Sequence, residues 1–146
     1  MIALSSAQLD HIRTLAERAY PEECCGLLIG NDRPDDIVAV TRIVESINVR
    51  RDRARDRFEI DPQIRIAVER ELRDGPERVV GHYHSHPDHP ALPSATDLEM
   101  VFEPSLIWLI VGVTAGRAGE INAYRLDTTA VQFEALKIHE NMEPNR

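Results

Sequence analysis

The chain has 146 residues, 42% hydrophobic and 29% charged, without a low-complexity tract or an internal repeat, which suits one soluble globular domain with a single core and disorder only at its ends. Its net charge of −8 argues against a nucleic-acid binder, which needs a basic face, and its longest apolar run, Leu106 to Val113, is far shorter than the roughly 20 residues that cross a bilayer. The N-terminus lacks the basic patch, apolar stretch and cleavage site of a secretory signal, so a cytoplasmic protein with no membrane partner is expected.

From Ser5 to Tyr20 the residues Leu9, Ile12, Leu15, Ala16 and Ala19 recur at helical spacing, which predicts a helix capped by Ser5 or Ser6 and ended by Pro21. Cys24 and Cys25 are adjacent, so they cannot pair with each other in ordinary disulfide geometry and read as reduced thiols in or near the core. Cys25 to Ile29, closed by Gly30-Asn31-Asp32, and the β-branched Ile37 to Val44 predict a strand hairpin. Asn48 to Arg57 is an arginine-rich loop and Phe58 to Ile60 a short extended piece; Asp61-Pro62 opens a second helix to about Arg73, with proline in its first turn. Val79 to Ser85 reads as a strand, Pro87 to Pro93 as a proline-stiffened loop, and Ser94 to Phe102 as a third helix. Leu106 to Val113 and Ile121 to Leu126 read as strands, and Val131 to Ile138 as either strand or helix. This order predicts a single α/β or α+β domain built on one mixed sheet, its core spanning about residues 1–138.

Chemistry concentrates in Gly81-His82-Tyr83-His84-Ser85-His86-Pro87. Residues two apart in a strand share a face, so these imidazoles can converge on one metal ion. Imidazole nitrogens suit Zn²⁺, which in hydrolases takes three protein ligands and keeps one position open. The helix start Ser94-Ala95-Thr96-Asp97 could aim a third ligand, Asp97, back at the strand. It also reads as a capping box that needs no metal, and the histidines alone could be an adventitious metal-binding tract.

Taken together, His84-x-His86, seven residues, and Ser94-x-x-Asp97 resemble the metalloprotease signature of the JAMM/MPN-plus family, and the order of elements to about Leu126 resembles its small prokaryotic members. The resemblance implies a compact, cytidine-deaminase-like mixed sheet flanked by helices. It implies zinc held by His84, His86 and Asp97, Glu23 of Glu23-Cys24-Cys25-Gly26 as general base, and Ser94 as donor to the oxyanion. Glu22 competes with Glu23 but stands one residue too far from Gly26. His82 is assigned to packing or to a bond behind the ligands, His89 to an exposed or substrate-side position, and Trp108 to the core; His11 and His139 carry no role.

His84-Ser85-His86-Pro87-Asp88-His89 also fits the metallo-β-lactamase-like pattern, but that fold is longer and needs further downstream histidines. A zinc deaminase would need a Pro-Cys-x-x-Cys that is missing. A non-catalytic scaffold of the wider family and a general zinc peptidase remain as alternatives. The family resemblance implies cleavage after the Gly-Gly-type tail of a ubiquitin-like, sulfur-carrier-type protein. The loop arginines Arg50, Arg51, Arg53, Arg55 and Arg57 could meet acidic residues of that carrier or the carboxylate of a released amino acid; a solvated charged loop is the plainer reading.

Overall fold

The computed structural model describes residues 1–50, 52, 55–129 and 131–141. Its elements run β1 (Ile2–Ser5), α1 (Ser6–Ala19), β2 (Cys25–Arg33), β3 (Ile37–Ser46), α2 (Pro62–Leu72), β4 (Arg78–Pro87), α3 (Ala95–Glu99), β5 (Ile107–Thr114), β6 (Arg117–Asp127), β7 (Gln132–Leu136) and β8 (Ile138–Asn141). The strands form one mixed sheet in the order β7-β6-β5-β4-β2-β3-β1-β8, with β4 and β5 parallel, β1 parallel to β3 and to β8, and the other pairs antiparallel. The expected mixed α+β architecture is the one found.

Consecutive strands β7 and β8 lie at opposite edges of the sheet, with Lys137 alone between them. One residue spans only a few ångströms, so the sheet curls until its edges nearly meet. α1 packs against the face enclosed by this curl. Its Leu9, Ile12, Leu15 and Ala16 join Ile2, Leu4, Leu28, Val40, Tyr83 and Leu109 in the main core, and Leu136 and Ile138 reach that core from the two edges. Other apolar clusters, one around Cys25, Phe58, Trp108, Ile110 and Tyr124 and another joining Leu27 and Ile29 to Val68 of α2, pack apart from it.

The structure corrects several expected boundaries. Ser5, rather than Ser6, caps α1, its Oγ accepting the Gln8 N–H at 3.1 Å while Gln8 Oε1 accepts the Ser5 N–H at 2.9 Å, a reciprocal capping box. Gly30-Asn31-Asp32 does not end β2. The strand passes through it with a register shift at Ile29/Gly30, and the reversal falls on a 3₁₀ turn over Pro34–Asp36. A side chain at Gly30 would collide with the Ala39 carbonyl oxygen, so this glycine permits a close strand crossing rather than a turn. The third helix stops at Glu99 rather than Phe102, Val131 to Ile138 contains strand and no helix, and β8 carries the sheet to Asn141. Among the described residues no helix is long and apolar enough to cross a membrane.

Candidate active site

β4 carries the histidines. Tyr83 turns into the core around α1, while His82, His84 and His86 turn to the other face and are all buried, His84 completely. The β2–β4 ladder sets Cys25 opposite His84. At its end Ser85 Oγ accepts the Cys24 N–H at 2.8 Å, and the Ser85 N–H donates to the Cys24 carbonyl at 3.1 Å. That exchange holds the next residue back, Glu23, beside the histidines: a Glu23 carboxylate oxygen and a ring nitrogen from each of His84 and His86 lie within 4.8 Å of one another. Asn48 adds a second hold, donating from Nδ2 to the carbonyls of Glu23 (3.4 Å) and Arg57 (2.9 Å) and accepting at Oδ1 the N–H groups of Arg50 and Glu59.

α3 brings Asp97 from the other side. Ser94 Oγ accepts the Asp97 N–H at 3.0 Å, and Asp97 Oδ2 accepts the Ser94 N–H at 2.9 Å. The capping box is real, and its turn is also what aims the carboxylate. Asp97 Oδ2 lies 3.1 Å from His86 Nε2, Asp97 Oδ1 lies 3.4 Å from His84 Nε2, and the two Nε2 atoms are 3.1 Å apart. His86 Nδ1 is 3.1 Å from the Pro90 carbonyl, which can only accept, so the proton of a neutral imidazole sits on Nδ1 and Nε2 keeps its lone pair.

In that neutral tautomer the lone pair faces the Asp97 oxygen, acceptor against acceptor; a proton on Nε2 that donates to Asp97, or a cation between the two, satisfies both. Two imidazole nitrogens and a carboxylate are a donor set that zinc takes. Glu23 can also reach, so a Glu23-His84-His86 set is the geometric competitor; Asp97 is the nearer carboxylate to both rings. Burial keeps His84 neutral by pushing its pKa down. Burial also pushes the Asp97 carboxyl up, but hydrogen bonds from His84 and His86 outweigh it and hold Asp97 well below the usual carboxylate range. Glu23 is displaced the other way, to about 9, by burial first and then by the charges of Asp97 and Asp56. Glu23 Oε2 is buried without a hydrogen-bond partner, whereas Glu22 is exposed.

An aromatic wall backs the site. Phe58 stacks on His84 with centroids 4.2 Å apart, and Trp108 meets His82 at 4.4 Å and His84 at 5.5 Å, both edge-on. His82 is driven down to about 3, by burial first and then by His84, and packs in this wall outside the converging donors. A cavity of about 300 Å³ opens beside Glu23, His86 and Ser94, with Arg55 and His89 on its lining. His11 pairs loosely with the exposed Glu45 at 3.7 Å, and His139 sits in β8, far along the sheet from the site. Cys24 and Cys25 are free thiols, pushed up to about 11 and about 12 by burial. Arg50 pairs with Asp52 at 3.3 Å, and Arg51 and Arg53 lie outside the described residues. Sequence reasoning missed Phe58, Ser85, Asn48 and the Pro90 carbonyl. Ser85 alone had a signal, since strand alternation places a residue between two same-face histidines on the opposite face of the sheet.

The family described as prokaryotic homologs of the JAB domain matches residues 5–127. The chain belongs to that family. Every element that forms the site lies within the matched JAB-domain span. A relative named CysO-cysteine peptidase, from Mycobacterium tuberculosis, is 30% identical over 140 residues, covering 94% of this chain and 88% of its own. A relative named desampylase, from Haloferax volcanii, is 34% identical over 102 residues, 70% of each chain. A solution structure from Desulfitobacterium hafniense superposes with a TM-score of 0.82 at 29% identity, covering 98% of this chain and 94% of the other. A JAB1/MPN domain protein from Archaeoglobus fulgidus shares the fold, with a TM-score of 0.55 at 19% identity over 96% and 94% of the two chains.

Proposed function

We propose that this JAB-domain protein is a zinc peptidase that cleaves the bond after the Gly-Gly-type tail of a small ubiquitin-like carrier. The observation that supports this most is the convergence of His84, His86 and Asp97 with the buried, unpartnered Glu23 beside them. The name of the Mycobacterium tuberculosis relative and that of the desampylase point to the same class of hydrolase. His84, His86 and Asp97 would hold a zinc ion, which would supply Lewis-acid activation of the attacking water and the scissile carbonyl.

The chain's own groups then divide the proton work. The charge of a cation at His84, His86 and Asp97 would counter the burial that raises Glu23 to about 9, so that Glu23 ionises, takes a proton from the water that adds to the carbonyl carbon, and returns it to the nitrogen as the C–N bond breaks. The products are a carrier ending in a carboxylate and a free amine. Ser94 Oγ accepts the Asp97 N–H, which leaves its own proton free to donate to the oxyanion. Phe58 and Trp108 keep His84 dry and fixed. The cavity walls Pro87, Pro90 and Pro93 make a stiff passage, and glycine, having no side chain, passes such walls most easily. Free, high-pKa thiols at Cys24 and Cys25 suit the reducing cytoplasm.

Mass spectrometry of a carrier ending Gly-Gly-Cys, beside the same carrier with Val-Val before the bond, tests the reading. Cleavage of the first and not the second is expected. Equal cleavage of both, or brisk hydrolysis of unrelated short peptides with every ubiquitin-like carrier left intact, would leave only a general zinc peptidase; zinc-free, inert protein would leave a scaffold.

A further inference from the structure

The cleft beside Glu23 carries a positive charge that the hydrolytic step does not use. Arg55 lines it together with His89, near enough to Asp88 and Tyr20 for its charge to be felt weakly at both. Asp88 does not take Arg55 as a partner. Asp88 Oδ2 accepts the Tyr20 hydroxyl at 2.7 Å and Oδ1 accepts the Ala115 N–H at 2.9 Å, and among the described residues no ion pair joins Asp88 to Arg55. Asp56 lines the same cavity and acts instead on Glu23, whose pKa it raises. The lining of this one cleft thus brings together the Glu23 carboxyl, the Asp56 carboxylate and the Arg55 guanidinium. Exposed Leu92 and the loop prolines give it an apolar wall.

A guanidinium on the wall that also carries the general base suits an α-amino acid. A residue leaving as the free amine presents nitrogen to Glu23 and, one carbon away, its carboxylate. A guanidinium binds such a carboxylate through paired hydrogen bonds. The cavity of about 300 Å³ has room for one released residue and its side chain, and none for a folded second protein.

We propose that Arg55 is a specificity-determining residue that binds the free α-carboxylate of a single C-terminal amino acid, so that the preferred carrier ends one residue after the cleaved bond. The inference rests on the function proposed above and narrows it, because a bond to a lysine side chain of another protein would place no carboxylate at Arg55.

The test uses zinc-loaded wild type and Arg55→Gln with a carrier ending Gly-Gly-Cys, made as the free acid and as the C-terminal amide. Wild type should prefer the acid by about 10-fold or more in kcat/KM, the scale of one charge-assisted contact, and Arg55→Gln should bring that ratio close to one. Binding supplies an independent readout: zinc-loaded Glu23→Gln should hold the acid more tightly than the amide by a similar factor, and the double variant Glu23→Gln, Arg55→Gln should not. Equal handling of acid and amide by wild type overturns the inference while leaving the peptidase reading intact. An acid preference that survives Arg55→Gln overturns the assignment to Arg55. If wild type neither cleaves nor binds either carrier, the functional reading fails and this inference falls with it.

Discussion

Glu23 and Asp97 share one site and are driven in opposite directions, the first up to about 9 by burial and neighbouring charge, the second down by the hydrogen bonds of His84 and His86. Two carboxyls pushed apart in this way suit one to trade protons and the other to stay ionised. Glu23→Gln should keep its zinc and lose activity by about 10²-fold or more, while Glu22→Gln should retain activity; steady-state rates with metal analysis of each variant check this. The shifts also set how metal-stripped protein responds to pH. Glu23 has a raised folded-state pKa, so its protonated form contributes stability below its unfolded value of 4.5, lost as pH rises toward about 9. Asp97 contributes above its unfolded value of 3.8, and that contribution is lost as pH falls. Urea denaturation of chelated protein should thus show stability declining from about pH 5 to 9, with a shallower decline in Glu23→Gln. The histidines were legible because strand alternation is local. Glu23 was legible only through the family resemblance, since nothing in Pro21-Glu22-Glu23-Cys24 reveals that β2 will lie against β4. Phe58 read as a short extended piece, because its stacking on His84 depends on where the loop before α2 folds back.

α3 has five residues, too few to hold together without its cap, so Ser94 bears on both helix and site. Ser94→Ala should cost about 1 kcal/mol of stability and loosen zinc binding by misaiming Asp97, and Ser94→Thr should restore most of both; denaturation curves and a zinc-chelator competition separate the two effects. The hairpin offers a purely structural counterpart. Gly30→Ala forces a methyl group against the Ala39 carbonyl and should cost about 2 to 3 kcal/mol, the range of overpacking, in a urea titration. Helix α2 and strands β4 and β5 were readable from caps and apolar runs. β1 was not, because Ile2-Ala3-Leu4 is only a brief apolar run whose partners, Val38 and Ile138 among them, are distant in sequence. The turn expected at Gly30 failed for a related reason: glycine marks a turn and a close backbone crossing with the same letter.

At the scale of the whole chain, the curl of the sheet gives the site its rigidity. β2 and β4 lie side by side at mid-sheet, helix α1 ends just before Glu23, and Asp88 ties the loop after His86 to Tyr20 and Ala115 at 2.7 and 2.9 Å. Composition and element order conveyed a mixed α+β architecture. Strand order stayed hidden, because it is decided by long-range pairing such as that of β8 with β1. A zinc ion would join β4 to α3, so ligand linkage should stabilise the folded chain by about 4 kcal/mol at a thousand times its dissociation constant, and a chelator should lower Tm by several degrees. The most direct test of the central claim is a zinc titration of metal-stripped protein, following cleavage of the Gly-Gly-Cys carrier by mass. Activity rising to a plateau at one zinc per chain in wild type, with none regained by His84→Ala or by Asp97→Asn, is the predicted result; cleavage by the stripped chain, or full recovery in either variant, would contradict it.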